Sequence, residues 1–490
     1  MDKFLIGRGD KDANLLSNKL NQHGLIAGAT GTGKTVTLKV MTEYFSNAGI
    51  PTIIADVKGD LANLCKVGEM NPKLSERLKT LGIENFEFQN FPIRLWDVYG
   101  EKGLPLRITI SEIGPIMLAR ILDLNEVQSG ILNICFRVAD ENGLLLLDLK
   151  DLRAMLNFVS ENRKEYSQKY GNIATQSVGA IQRALLNLED RGGNIFFGEP
   201  SIEISDLLTN DSEGHGYVNI IAADKLIQNP LIYSMFLLWL LSELYETLPE
   251  VGNPDKPKLV FFFDEAHLLF EGTPSALTEK IEQIVRLIRS KGVGIFFVTQ
   301  NPIDVPDKVA SQLGNRVLHQ LRAFSPRELK AVNSAADTFR PNPNIDVRET
   351  ITELKVGEAL TSFLMEDGAP SPVERTLIMP PKSSFEPLTE SDYNYIIENS
   401  NLYHKYKNTI DRESAYEILE KKAIESKLAK EEQERKEAEE KQRLEEEKQK
   451  KKKSSKMTPY EKAVSSFLGT MSRSIGREIA RGVFGTFKRK

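Results

Sequence analysis

Residues 28–35 read Gly28-Ala29-Thr30-Gly31-Thr32-Gly33-Lys34-Thr35. This spacing fits G-x-x-x-x-G-K-[ST] in full, and each residue type has a physical task. A chain that wraps phosphates must turn its N–H groups inward, which glycine permits through positive φ and close backbone approach. A helix starting near Gly33 would add its N-terminal partial positive charge. Lys34 would place an ammonium on the β- and γ-phosphates, and the Thr35 hydroxyl is a hard oxygen ligand for Mg²⁺. The chemistry expected here is the binding of Mg²⁺ and ATP.

A second set of groups could hydrolyse what the loop holds. Residues 259–265 read LVFFFDE, an apolar run ending in two acids. Asp264 is placed to hold Mg²⁺ through its water shell, and Glu265 to polarise an attacking water. Gln300 follows the apolar run 293–298. It senses the γ-phosphate or positions water, or else merely caps the turn after it. Asp56 in the sequence DVKGD either tunes the site or caps its own loop. Arg316, Arg322 and Arg340 are candidate arginine fingers, with Arg316 the first choice. Each also has a plainer reading as an ion-pair partner. His267 completes Asp-Glu-Ala-His, but the remaining motifs of a DEAH-box helicase are missing from the chain. It reads as a packing histidine or one that supports Glu265.

Elements that would position these groups follow from apolar periodicity. Residues 24–27 form a short strand feeding the phosphate loop, 36–45 a helix, and 51–55 a β-branched strand ending at Asp56: a βαβ opening. Further strands are expected at 4–6, 217–222, 258–263, 293–298 and 316–320. Helices are expected near 231–248, 276–291, 304–314 and 326–335. Between 96 and 216 the spacing of three and four marks helices at 113–122, 127–139, 149–166 and 173–188. The fold class is α/β: a RecA-like P-loop NTPase core with a parallel sheet, a helical insertion and a charged helical C-terminal arm. The expected divisions are 1–95 and 217–381 for the core, 96–216 for the mainly helical insertion, 382–456 for the arm, and 457–490 for a tail.

Composition narrows the class. Hydrophobic content of 40% and charged content of 27% over 490 residues suit a globular protein of two to four domains. A net charge of −5 argues against a basic nucleic-acid coat. Cys65 and Cys135 stand far apart without a CxxC neighbour, so they read as reduced thiols rather than a disulfide or zinc framework. The first residues lack the apolar core of a signal peptide. The most apolar run, 231–241, is too short to span a bilayer, which needs about 20 residues. A cytoplasmic location with no integral membrane segment is expected. Residues 420–453 are rich in Glu, Lys, Arg, Gln and Ala. They read as a solvated single helix or partly disordered arm, with a coiled coil the lesser alternative. Residues 457–490 alternate apolar and basic positions at helical spacing, a tethered amphipathic module.

The motifs GATGTGKT at 28–35, ADVKGDL at 55–61, LVFFFDEAHLLF at 259–270 and GIFFVTQNPIDVP at 294–306 resemble the HerA/FtsK group of P-loop ATPases. Within that group the chain most resembles a bacterial family of HerA-helicase-like proteins. The further marks are GNRVLHQLRAFSPRELKAV at 314–332, TFRPNP at 338–343, GEAL at 357–360 and SIGREIAR at 474–481. The resemblance implies a hexameric ring that moves or processes double-stranded DNA at the expense of ATP. Residues 1–27 are too few for the β-barrel with which HerA proteins meet a nuclease partner, so that partnership is not expected. The rival reading is a nucleotide-gated scaffold whose tail binds a protein or an anionic membrane surface. Packaging or export of macromolecules is a third.

Overall fold

The computed structural model describes residues 2–270, 275–454, 460 and 464. The basic tail expected at 457–490 lies outside the described residues except for Tyr460 and Val464. By internal contacts the chain divides into Met1–Ile418 and Leu419–Lys490.

One twelve-stranded sheet organises the first unit. Its strands in chain order are β1 (Lys3–Arg8), β2 (Asp12–Leu16), β3 (Gly24–Ala27), β4 (Thr52–Asp56), β5 (Ile93–Asp97) and β6 (Leu104–Pro105). There follow β7 (Val218–Ala222), β8 (Leu259–Phe263), β9 (Val293–Thr299), β10 (Asn315–Leu318), β11 (Glu358–Ser362) and β12 (Glu374–Ile378). The spatial order is β2-β1-β12-β11-β10-β3-β9-β8-β4-β7-β5-β6. Every pairing from β10 to β6 is parallel. Such strands are covered on both faces and must be apolar throughout, as the fully buried LVFFF of β8 and VGIFFVT of β9 are.

The expected parallel sheet needs one correction. Strands β11, β12, β1 and β2 add an antiparallel flank beyond β10. Of these β1 contains the strand expected at 4–6, whereas the apolar residues of β2, β11 and β12 are interrupted by Asp, Asn, Glu, Arg, Thr and Ser, so no continuous apolar run announces them. The edge of the insertion also moves. Strands β5 and β6 lie on the sheet, so the helical segment starts beyond Pro105 rather than at 96. Its helices are Ile110–Ile121, Glu126–Glu141, Leu149–Glu161, Arg163–Tyr170 and Thr175–Asp190. Reciprocal caps start three of them, at Thr109 with Glu112, Asn125 with Gln128, and Asp148 with Asp151. Asn162 interrupts the helix expected to run from 149 to 166.

Residues 382–418 belong to the first unit and not to the arm. The sequence hides this because polar groups make the attachment. Tyr406 is fully buried, packs edge-on to Trp96 at 5.2 Å and donates its hydroxyl to Asp206 at 2.5 Å. Arg412 grips Glu199 through two bonds of 2.6 Å. The buried carboxylate of Asp151 accepts from the Ser414 hydroxyl at 2.5 Å and from the Tyr416 amide at 2.9 Å. The helix Ala415–Ser454 carries the charged arm, and residues 421–448 are exposed along its whole described length.

The helix Lys34–Asn47 packs its apolar face onto the sheet, where Phe45 stacks on Phe262 at 6.0 Å. Its other buried residues include a charged pair. Lys39 donates to Asn63 Oδ1 at 2.8 Å and to the Ser384 carbonyl at 2.5 Å. Glu43 accepts from the amides of Lys382 and Ser383 at 2.7 and 3.0 Å, and from the Ser383 hydroxyl at 2.6 Å. Both charges are thereby hydrogen-bonded, the condition for tolerating them in a core.

Candidate phosphate-binding site

Strand β3 ends at Ala27 and residues 28–33 turn into the helix Lys34–Asn47. Gly28, Gly31 and Gly33 have φ of 157°, 81° and 119°. Gly28 cannot carry a side chain, because a Cβ there would lie 2.5 Å from His319 Cβ. The helix starts without a side-chain cap, leaving its first N–H groups to other partners. The Lys34 ammonium is buried and donates to the carbonyls of Gly28 and Ala29 at 2.6 and 3.1 Å. Burial pushes it down to about 8, and neighbouring Lys58 pushes the same way against Glu265 and Asp264. A desolvated ammonium under a glycine loop and a bare helix N-terminus fit a chain of phosphates.

The loop is braced from both sides. The amides of Gly28 and Ala29 donate to the carbonyls of Thr299 and Gln320 at 3.2 and 2.8 Å. His319 faces a carbonyl through Nδ1, at 2.9 Å from Glu358. A carbonyl only accepts, so Nδ1 carries the proton and Nε2 accepts from the Thr37 hydroxyl at 2.8 Å. His23 has the opposite tautomer: Nε2 donates to the Val285 carbonyl at 2.8 Å and Nδ1 accepts the Ile295 amide at 3.0 Å. Burial holds both imidazoles down, to about 4. The unfolded chain takes up these protons near 6.5 and the folded chain near 4, so stability is lost as pH falls through that window. The expected slope is about 1.4 kcal/mol per pH unit for each histidine. Asp56 and Asp264, pushed up to about 6 and about 7, titrate in the same range with the opposite sign, so a difference isolates the histidine: denaturant midpoints between pH 4.5 and 6.5 should fall less steeply on acidification in His319→Gln than in the unaltered chain, by the share of one histidine.

Strand β8 delivers the two acids. Glu265 has φ 47° and ψ 52°, a left-handed conformation that costs a non-glycine residue about 1–3 kcal/mol. The turn aims its carboxylate at three partners. Lys58 Nζ lies at 2.8 Å, Gln300 Nε2 donates at 3.1 and 3.2 Å, and His267 Nδ1 lies at 3.5 Å. Gln300 Oε1 in turn accepts from the Thr30 hydroxyl at 3.0 Å. A continuous run of contacts thus joins the glycine loop to Glu265 through Gln300. Burial would raise the Glu265 carboxyl, but Lys58 and Gln300 outweigh it and hold it below its usual range. Burial pushes Asp264 up to about 7, with Lys58 opposing and Glu265 and Asp56 adding. A divalent cation at this carboxyl would offset both the burial and the neighbouring acids.

Asp56 does both: besides raising Asp264, it caps its own loop. Its Oδ1 accepts from the amides of Lys58 and Gly59 at 3.1 and 2.8 Å, and its Oδ2 from Leu61 at 3.0 Å. That turn is what carries Lys58 to Glu265, a link sequence reading missed although Lys58 stood inside a quoted motif. Arg316 is not brought to the loop. Its guanidinium donates to the carbonyls of Leu313 and Ala310 at 3.1 and 3.2 Å. Arg340 donates to the Pro370 carbonyl at 3.1 Å. Arg322 is exposed and lines a cavity of about 370 Å³ with Thr30, His267 and Gln300.

A family model described as helicase HerA-like C-terminal matches residues 3–490. A probable helicase of Methanocaldococcus jannaschii is 23% identical over 361 residues, covering 73% of this chain and 63% of that protein. The DNA double-strand break repair helicase HerA of Saccharolobus solfataricus is 23% identical over 372 residues, covering 73% and 64%. The chain therefore spans just under two thirds of the length of these relatives. Among solved structures, the bacterial conjugative coupling protein TrwBΔN70 aligns with a TM-score of 0.51 at 15% identity, over 80% of this chain and 92% of that one. That likeness establishes an α/β, RecA-like core. No described helix is long and apolar enough to cross a membrane.

Proposed function

The chain belongs to the helicase HerA-like C-terminal family, and we propose that it is an ATP-hydrolysing motor acting on double-stranded DNA. The observation that carries the hydrolytic part is the Thr30–Gln300–Glu265–Lys58 contact run. It supports a catalytic role for Glu265, whose carboxylate is held ionised by Lys58 and Gln300 next in sequence to Asp264. Residues 28–35 bind the triphosphate and Lys34 neutralises it. Thr35 and Asp264 would hold Mg²⁺, which would supply charge compensation to the bound phosphates. Glu265 takes the proton of the attacking water, and Gln300 reports on the γ-phosphate by its bond to Thr30.

The DNA part rests on the relatives, which are described as a probable helicase and as DNA double-strand break repair helicases. A hexameric ring follows from the same resemblance. In it an exposed arginine such as Arg322 is a better finger toward a neighbouring subunit than Arg316, whose donors are engaged. Several-fold stimulation of ATPase rate by double-stranded DNA is expected, with Glu265→Gln as the blank. A clear basal rate unmoved by DNA would instead favour a nucleotide-gated scaffold working through residues 457–490 on a protein or an anionic membrane.

A further inference from the structure

The helix Pro230–Thr247 lies between β7 and β8 in the chain and is apolar on every side, as a helix enclosed in a core must be. Three of its side chains break that rule at one atom each. The Tyr233 hydroxyl, the Trp239 indole N–H and the Ser242 hydroxyl are buried with no hydrogen-bond partner among the described residues. Phenylalanine would fill the space of Tyr233 without burying an unpaired hydroxyl, so the hydroxyl calls for a partner. Trp239 and Ser242 stand roughly 9 and 14 Å further along the helix axis than Tyr233, at about 1.5 Å per residue.

Tyr233 is in the first turn of the helix, at the edge of the sheet where the acids emerge. Asp56 pairs with Ala222 across β4 and β7, and Ala55 with Phe263 across β4 and β8, so all three strands end there. The Ala223 amide donates to the Asp56 carbonyl at 2.9 Å, and the chain then turns into the helix at Pro230. The helix packs against the turn Ala266–Leu269, which follows Glu265 directly. Burial pushes the Tyr233 phenol up, and Asp264 and Glu265 add to it. A neighbouring charge acts on the titrating oxygen, so the hydroxyl end of the ring lies toward the acids. Asp264 Oδ1 accepts the Glu265 amide at 3.0 Å, and among the described residues no donor reaches its Oδ2.

We propose that Tyr233 is a positioning residue for the cation site, its hydroxyl donating to the Asp264 carboxylate when Asp264 ligates a metal. A ligating carboxylate is itself held in orientation by hydrogen bonds, and loss of such a donor costs about 10–100-fold in metal affinity or activity. A bond to an ionised carboxylate is also roughly twice as strong as one between neutral groups, which makes Asp264 the fitting partner for the orphaned hydroxyl. The inference rests on the Mg²⁺ role proposed for Asp264 and extends it to a residue outside the nucleotide-binding motifs.

Tyr233→Phe keeps the ring and removes the one oxygen. Calorimetry of the full chain with a non-hydrolysable ATP analogue, in EDTA and in Mg²⁺, reads the contribution of the cation to binding without turnover. Affinity in EDTA should match that of the unaltered chain, and the gain brought by Mg²⁺ should shrink at least tenfold. The melting temperature should hold or rise, because the free protein loses no bond. Ser242→Ala removes an orphaned hydroxyl from the same helix, away from the acids, and should leave the Mg²⁺ gain unchanged. An undiminished gain in Tyr233→Phe, an equal loss in Ser242→Ala, or a loss already present in EDTA would overturn the proposal. An unaltered chain that gains nothing from Mg²⁺ would instead remove the cation role of Asp264, and this proposal with it.

Discussion

Glu265→Gln should leave ATP binding intact and slow turnover by about 10²–10⁴-fold, the range over which a positioned general base contributes. The substitution keeps the shape of the side chain and can keep one bond to Gln300. It removes the negative charge that Lys58 meets at 2.8 Å, and with it the capacity to take a proton from water. Because the carboxyl is held below its usual range, the wild-type residue is ionised throughout the neutral region. A coupled phosphate-release assay gives turnover, and a fluorescent ATP analogue gives affinity. Turnover within a few-fold of wild type would remove Glu265 from the reaction. Loss of nucleotide affinity in parallel would mean that the residue shapes the loop rather than acting on water.

Lys34→Ala should act one step earlier and weaken ATP binding by at least about 10²-fold, matching the roughly 3 kcal/mol of a charged hydrogen bond to phosphate. The fold should survive. The ammonium is already desolvated and its own partners are two carbonyls of the loop, so deleting it relieves a buried charge as it removes those bonds. Thermal melting would change by a few degrees at most, while calorimetric titration with ATP would show the loss. A collapse of the melting transition would make Lys34 a structural pin. Retained affinity would leave the glycine loop without its proposed ligand.

Much of this site is visible in the chain because its parts are local. A glycine loop between an apolar strand and a helix needs no distant partner to be recognised, and neither do two acids closing the apolar β8. The groups that escaped detection are those defined only by long-range pairing. Lys58 gains meaning when β4 and β8 lie side by side, and His319 when β10 meets β3. Antiparallel strands β11 and β12 carried too few apolar residues to stand out. The attachment of residues 382–418 was hidden for a related reason. Its anchors, Tyr406, Arg412 and Ser414, are residue types usually found at the surface, and each is secured by one acidic partner far away in sequence.

The helix that begins at Lys34 is gripped further along by the buried contacts of Lys39 and Glu43 with residues 382–384. Removing one partner of a buried, paired charge costs about 3–5 kcal/mol. The helix therefore cannot tilt or slide and leave that segment behind. It acts as a connecting rod with one end in the phosphate loop and its shaft bolted to the backbone that leads on to the anchors at Tyr406, Arg412 and Ser414. A displacement of this helix would therefore be shared by residues 382–384, which couples the phosphate loop to a segment more than 300 residues away in sequence.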